Sequence, residues 1–175
     1  GERGFEIYSK NADFDGVGLW NFLLEKGKSA DLIGSDVSSM HIRRIEAGIF
    51  DYGTDLDQTL NPYEIGFDRL VHMEKSDFIG RAALIETNKK QLRLKGLTCS
   101  ETSLTRGDRV FQDGIEVGFI SAGAWSYHLN TGIGFFRLHN SKLTGEKLKV
   151  TTDEGEFDAE LVELPFHDPE KLLVR

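Results

Sequence analysis

A chain of 175 residues, 39% hydrophobic and 29% charged, has the composition of a globular protein with room for one sizeable core or two small ones. Its formal net charge of −8 excludes nucleic acid and anionic membranes as expected partners, since both need a concentrated positive field. The single cysteine, Cys99, rules out an internal disulfide, and no run approaches the ~20 apolar residues of a membrane span.

The elements follow in chain order. Residues 5–8 alternate as a strand would. Asp13 is placed to cap a helix through about Lys26, with Val17, Trp20, Leu23 and Leu24 at helical spacing and Gly27 as its stop. A second helix is expected from Ser35 or Asp36 to Ala47, with Ser35 placed as its N-cap and Gly48 closing it. After it comes the acidic glycine turn around Asp51, Gly53, Asp55 and Asp57, then an Asn61-Pro62 turn into a second strand-like run. Asp77 is placed to cap a third helix, FIGRAALIETNKK, whose terminal lysines suit the helix dipole.

From about Leu92 the period changes from helical to alternating. Strands are expected at 92–98, 109–112, 116–122, 132–138, 147–152 and 157–163. Turn residues separate them, and Asp113-Gly114 is a strong hairpin signal. The expected fold is α+β over residues 1–91, followed over 92–175 by an antiparallel β-barrel or jelly-roll-like domain.

Most candidate chemistry reads as structure. Asp51, Asp55 and Asp57 lack the glycine and glutamate positions of a calcium loop, so a solvated acidic turn is expected. The five histidines show no zinc-ligand spacing; His128, near Trp125 and Tyr127, lines a pocket or simply turns a hairpin corner. Ser121 and Ser126 lie outside any nucleophile elbow, and nothing near Cys99 in sequence activates a thiolate. Glu2 and Glu6 stand out. If the Glu6 side chain points inward from its strand, it needs hydrogen-bond donors, and a ligand edge with two adjacent N–H groups supplies them. If it points outward, it is an exposed edge residue.

Five segments carry a resemblance. GERGFEIY resembles the Gly-Glu-x-Gly-aromatic-Glu segment of the folate-dependent aminomethyltransferases, the family of the glycine cleavage T-protein. RRIEAGIFDYGTDLD is similar to that family's Arg-x-Glu-Ala-Gly and Tyr-Gly segment, and DFIGRAAL to its Asp-Phe-Ile-Gly helix start. GFISAGAWSYHLNTGIGF is similar to a C-terminal segment of the family, and ELPF to its tail. Within the family, FEIYSK, LLEKGKS, NPYEIGFD and LPF resemble most the dimethylsulfoniopropionate demethylase branch.

The resemblance implies one-carbon metabolism: methyl or aminomethyl transfer to tetrahydrofolate from a small methyl donor, either a sulfonium or a methylated amine. It implies that Glu6 holds the pterin, and Trp125, Tyr127 and Arg137 are then placed by location as further cofactor contacts. The family's Ala-Arg-Asp arginine falls at Met40 here, which favours a donor other than the aminomethyl carrier. The family's catalytic aspartate lies in an upstream half. Since the chain opens without a Met at a strand-like edge, it is expected to be the C-terminal part of such an enzyme, inactive alone. A non-catalytic interaction or folate-binding module is the alternative. Apolar groups at the front, such as Phe5, Ile7 and Trp20, lead to the expectation of a homo-oligomer, and the expected compartment is the cytoplasm.

Overall fold

The computed structural model describes residues 4–87, 92–139, 143–145, 147–170 and 172. Three helices come first: α1 (Gly16–Gly27), α2 (Val37–Glu46) and α3 (Arg81–Glu86). Six strands follow: β1 (Leu94–Cys99), β2 (Arg109–Gln112), β3 (Ile115–Ser126), β4 (Thr131–Leu138), β5 (Lys147–Thr152) and β6 (Gly155–Val162). All strand pairs are antiparallel, and the order β1-β4-β3-β2-β5-β6 closes on itself as a barrel. Closure leaves no sheet edge to aggregate.

Alternation sends one side of every strand inward. Leu97 and Cys99 of β1, Val110 of β2, Ile120 of β3, Phe136 and Leu138 of β4, Leu148 and Val150 of β5, and Ala159 of β6 form one buried cluster. At Asp113-Gly114 both residues take positive φ, 52° and 77°, as a tight two-residue hairpin turn requires. Gly132 is obligatory for another reason: a Cβ there would stand 2.1 Å from the Thr102 carbonyl oxygen.

A second cluster lies on the outside of the barrel. Leu94, Ala122, Ile133 and Phe135 face Ile45 of α2, with Phe50, Leu56 and Ile65 packed around them. The segment from 47 to 67 is thus a strap laid over the β1–β4–β3 face. A bulge in β3 makes this possible. The register slips between Ile120 and Ala122, so the two residues face opposite sides of the sheet and the extra residue, Ser121, is re-aimed.

Several expectations change in detail. Residues 5–8 form no strand, and Phe5, Ile7 and Tyr8 are exposed. Asp15, not Asp13, caps α1, its carboxylate accepting from Gly18 N at 2.8 Å, and no α1 residue is buried. Asp36, not Ser35, caps α2, accepting from Ser39 N at 3.0 Å, and Gly48 follows its end at φ 67°. The third helix starts only at Arg81, because Gly80 in the left-handed region breaks the chain's entry after Asp77; its expected end at 88–90 lies outside the described residues. The run after Asn61-Pro62 is no strand. The Asn61 side chain accepts from Tyr63 N and Glu64 N while the Glu64 carboxylate accepts from Asn61 N, so local side chains win the backbone groups a ladder would need.

Candidate functional site

The densest polar chemistry lies in the seam between strap and barrel. Arg44, on the last turn of α2, donates to Asp55 at 2.8 Å and to the Ile49 carbonyl at 3.1 Å. Asp55 is fully buried. Its other contacts are the Asp51 amide at 2.9 Å and the Ser121 hydroxyl at 2.7 Å, so the bulge of β3 delivers the donor that completes the carboxylate's shell. The acidic turn is solvated at Asp51 and partly at Asp57, but not at Asp55, which the helix cation and the bulge serine draw into the seam. A second bond runs parallel to it. Ser126, at the end of β3, donates to Glu46 at 2.6 Å and accepts from Leu129 N at 3.0 Å, and His167 N donates to the Glu46 carbonyl at 2.9 Å. These four side chains (Glu46, Asp55, Ser121 and Ser126) carry no catalytic motif of their own, although all four fall in segments that carry the family resemblance. What the residues alone do not show is that these two acids and two serines meet.

Asp57 lies further along the strap. Its carboxylate takes a two-pronged contact from Arg137 of β4, at 2.8 and 3.1 Å, and Arg137 also donates to the Thr59 hydroxyl at 2.6 Å. The Arg137 hydrogen bonds, and after them the Thr59 contacts, hold the Asp57 pKa well below the usual carboxylate range. A carboxylate depressed in the folded state contributes stability above its unfolded pKa of about 4 and loses it as pH falls through the folded value. Acid titration of unfolding is therefore expected to show a steeper loss in the parent than in Asp57→Asn below about pH 4, with similar slopes at neutral pH. Parallel profiles over the acid range would refute the pairing.

The residues expected to contact a cofactor do not converge. Glu6 sits on an irregular, exposed segment, and its carboxylate accepts from the Tyr8 hydroxyl, which raises the Tyr8 pKa. Glu2 lies outside the described residues. Trp125 and Tyr127 line a shallow hollow of ≈ 580 Å³ with Val37, His41 and Ile42 of α2. Arg137 is at the other end of the same ladder: it faces Phe119, whereas Trp125 faces Gly132. Six residues of β3 separate those positions, about 20 Å at ~3.3 Å per residue. Arg137 is also committed to Asp57. His128 lies on the exposed β3–β4 turn, its ring edge-on to His167 at 4.2 Å. Cys99 is buried at the end of β1. Among the described residues no cluster of three or more His, Cys, Asp or Glu side chains could hold a metal, and no helix is long and apolar enough to cross a membrane.

Comparison with known proteins places this arrangement. Residues 1–75 match the family described as the GCVT N-terminal domain, and residues 93–168 match the glycine cleavage T-protein C-terminal barrel domain. The aminomethyltransferase of Thermosipho melanesiensis is 35% identical over 175 residues, covering 95% of this chain and 45% of the relative. That of Pseudothermotoga lettingae is 32% identical, over 95% of this chain and 46% of the relative. The crystal structure of the glycine cleavage system aminomethyltransferase T from Bartonella henselae superposes with a TM-score of 0.71 at 19% identity, over 86% of this chain and 44% of that one, which is a likeness of fold. The chain spans less than half the length of the curated relatives it matches. With both domains matched in chain order, the protein belongs to the glycine cleavage T-protein family.

Proposed function

We propose that this chain serves a tetrahydrofolate-dependent methyl or aminomethyl transfer, as the cofactor-positioning and barrel portion of a T-protein-like enzyme. The observation that carries the reading is the succession of the two T-protein domain matches along one chain. Tetrahydrofolate, when bound, accepts the one-carbon unit. The donor set suits it at one point: Glu6 is an exposed carboxylate whose one described partner is a hydroxyl, leaving lone pairs for the paired N–H groups of a pterin edge. Glu6 then orients the pterin. Trp125 and Tyr127, on the α2–barrel hollow, offer aromatic faces to the rest of the cofactor, while Arg137 acts through Asp57 by fixing the strap.

The donor in this reading is a methylated sulfonium or amine. Its support is Met40 at the position where the resemblance places an arginine; Met40 is 70% exposed on α2, where it presents a soft thioether and no positive charge. A second reading, an interaction or folate-binding module without catalysis, is favoured by α1. None of its residues is buried; Val17 and Trp20, three residues apart on one side of the helix, are exposed, and so is Phe22.

Calorimetric titration with 5-formyltetrahydrofolate tests the proposal. The parent chain is expected to bind saturably, and Glu6→Ala to weaken binding about tenfold or more, the equivalent of one lost charge-assisted pair. Equal affinity in the variant would remove Glu6 from the site. Absence of binding in both would count against cofactor positioning by this chain and favour the interaction module.

A further inference from the structure

The barrel's closing seam is short. β1 pairs with β6 only from Gly96 to Thr98, so Leu94 and Lys95 part from Glu163, Leu164 and Pro165 at that end. The strap lies alongside the gap. Gly48, at φ 67°, brings it down on Pro165, where a Cβ would stand 3.2 Å from the proline Cα. Between strap and seam is a groove of ≈ 590 Å³. That is within the ~300–1,000 Å³ typical of small-molecule sites.

Phe50, Phe67 and Leu94 supply apolar walls, and Arg69, Lys95 and Glu163 are the charged residues of the lining. Neither Arg69 nor Lys95 makes an ion pair with a described residue; the described salt bridges use other cations. Two uncommitted cations against one acid make the lining locally positive on a chain whose net charge is −8. An apolar cleft with such a rim complements an amphipathic anion. The excess of one positive charge matches a monoanion better than a phosphate dianion, and a carboxylate is the common monoanion that takes N–H donors from both Lys and Arg.

We propose that this groove binds an amphipathic carboxylate, with its apolar body against Phe50, Phe67 and Leu94 and its carboxylate toward Lys95 and Arg69. The proposal goes beyond the tetrahydrofolate reading and does not rest on it: Glu6, Trp125, Tyr127 and Arg137 are not in this lining.

Octanoate is the probe, titrated into the isotope-labelled protein while the amide resonances of Gly48, Gly66 and Gly96, all in the lining, are followed. Saturable shifts at these glycines are expected. Octanol, with the same body and no charge, is expected to bind about tenfold more weakly, and acetate not measurably. The double variant Arg69→Gln, Lys95→Gln should lose about tenfold in octanoate affinity and keep its octanol affinity, which also shows that its groove remains intact. Any of three results would overturn the proposal: no saturable shift at the groove glycines, octanol binding as tightly as octanoate, or unchanged octanoate affinity in the double variant.

Discussion

Asp55→Ala is expected to destabilise the fold by about 3–5 kcal/mol, the usual cost of deleting one partner from a buried ion pair. Three donors lose their acceptor together: the Arg44 guanidinium, the Asp51 amide and the Ser121 hydroxyl. The Ser121 hydroxyl is completely buried and retains only a long 3.4 Å contact to the Phe135 carbonyl, so it carries much of the penalty. Arg44 is 19% exposed at its side chain and recovers some hydration, which keeps the effect toward the lower end. The intact pair, by contrast, contributes little net stability over an apolar substitute, because desolvation offsets most of its attraction. What the network supplies is specificity: it fixes strap to bulge in one register. Urea unfolding should show a lower midpoint with an unchanged slope, and Asp55→Asn, which keeps an acceptor oxygen, should lose less. A loss below about 1 kcal/mol for Asp55→Ala would mean that the carboxylate is hydrated in the folded protein.

That network shows where sequence reading stops. The barrel was legible because each strand alternates and each turn has its own chemistry: β2 and β5 fall at the expected residues, and Asp113-Gly114 turns where its backbone preference requires. The closing glycine of α2 was legible for the same local reason, while its cap falls on Asp36, one residue after the expected Ser35. Asp55 was not. An acid in DYGTDLD has the local pattern of a solvated turn, and what buries it is a hydroxyl 66 residues away, re-aimed by a bulge that alternation does not reveal. Arg137 was placed near a cofactor by its position on β4, whereas Asp57, 80 residues earlier, occupies its guanidinium. Residues 5–8 alternate like a strand but have no neighbouring strand among the described residues, and a ladder needs a partner as well as a pattern.

Phe135→Ala is expected to cost about 3–5 kcal/mol, as large-to-alanine changes in well-packed cores do. Its distribution over the molecule is the sharper prediction. Phe135 and Phe136 are adjacent and both fully buried, yet they serve different cores. Phe136 points into the barrel. Phe135 points out beneath the strap, edge-on to Phe50 at 4.9 Å, with Phe166 at 6.1 Å and the Arg44 guanidinium 5.9 Å from its ring centre. Removing it takes the floor from under the strap and leaves every inward side chain of the barrel in place. The backbone bonds at the strap's middle, Gly53 N to the Leu56 carbonyl at 2.7 Å and Asp55 N to the Asp51 carbonyl at 2.9 Å, are local; its long-range backbone bonds lie at its far end, where the Glu64 carbonyl accepts from Arg93 N at 2.7 Å and Leu94 N at 3.2 Å. In Phe135→Ala, amide exchange at Gly53 and Asp55 should therefore approach that of an open loop while β4 and β5 amides keep most of their protection; in Phe136→Ala both sets should fall together. Uniform loss in both variants would mean that strap and barrel open as one cooperative unit, with the outer cluster an extension of the inner one. Selective loss would make the strap a separate unit, held in place by Phe135 packing, the Asp55 network and the Asp57–Arg137 pair, and able to open while the barrel stays closed.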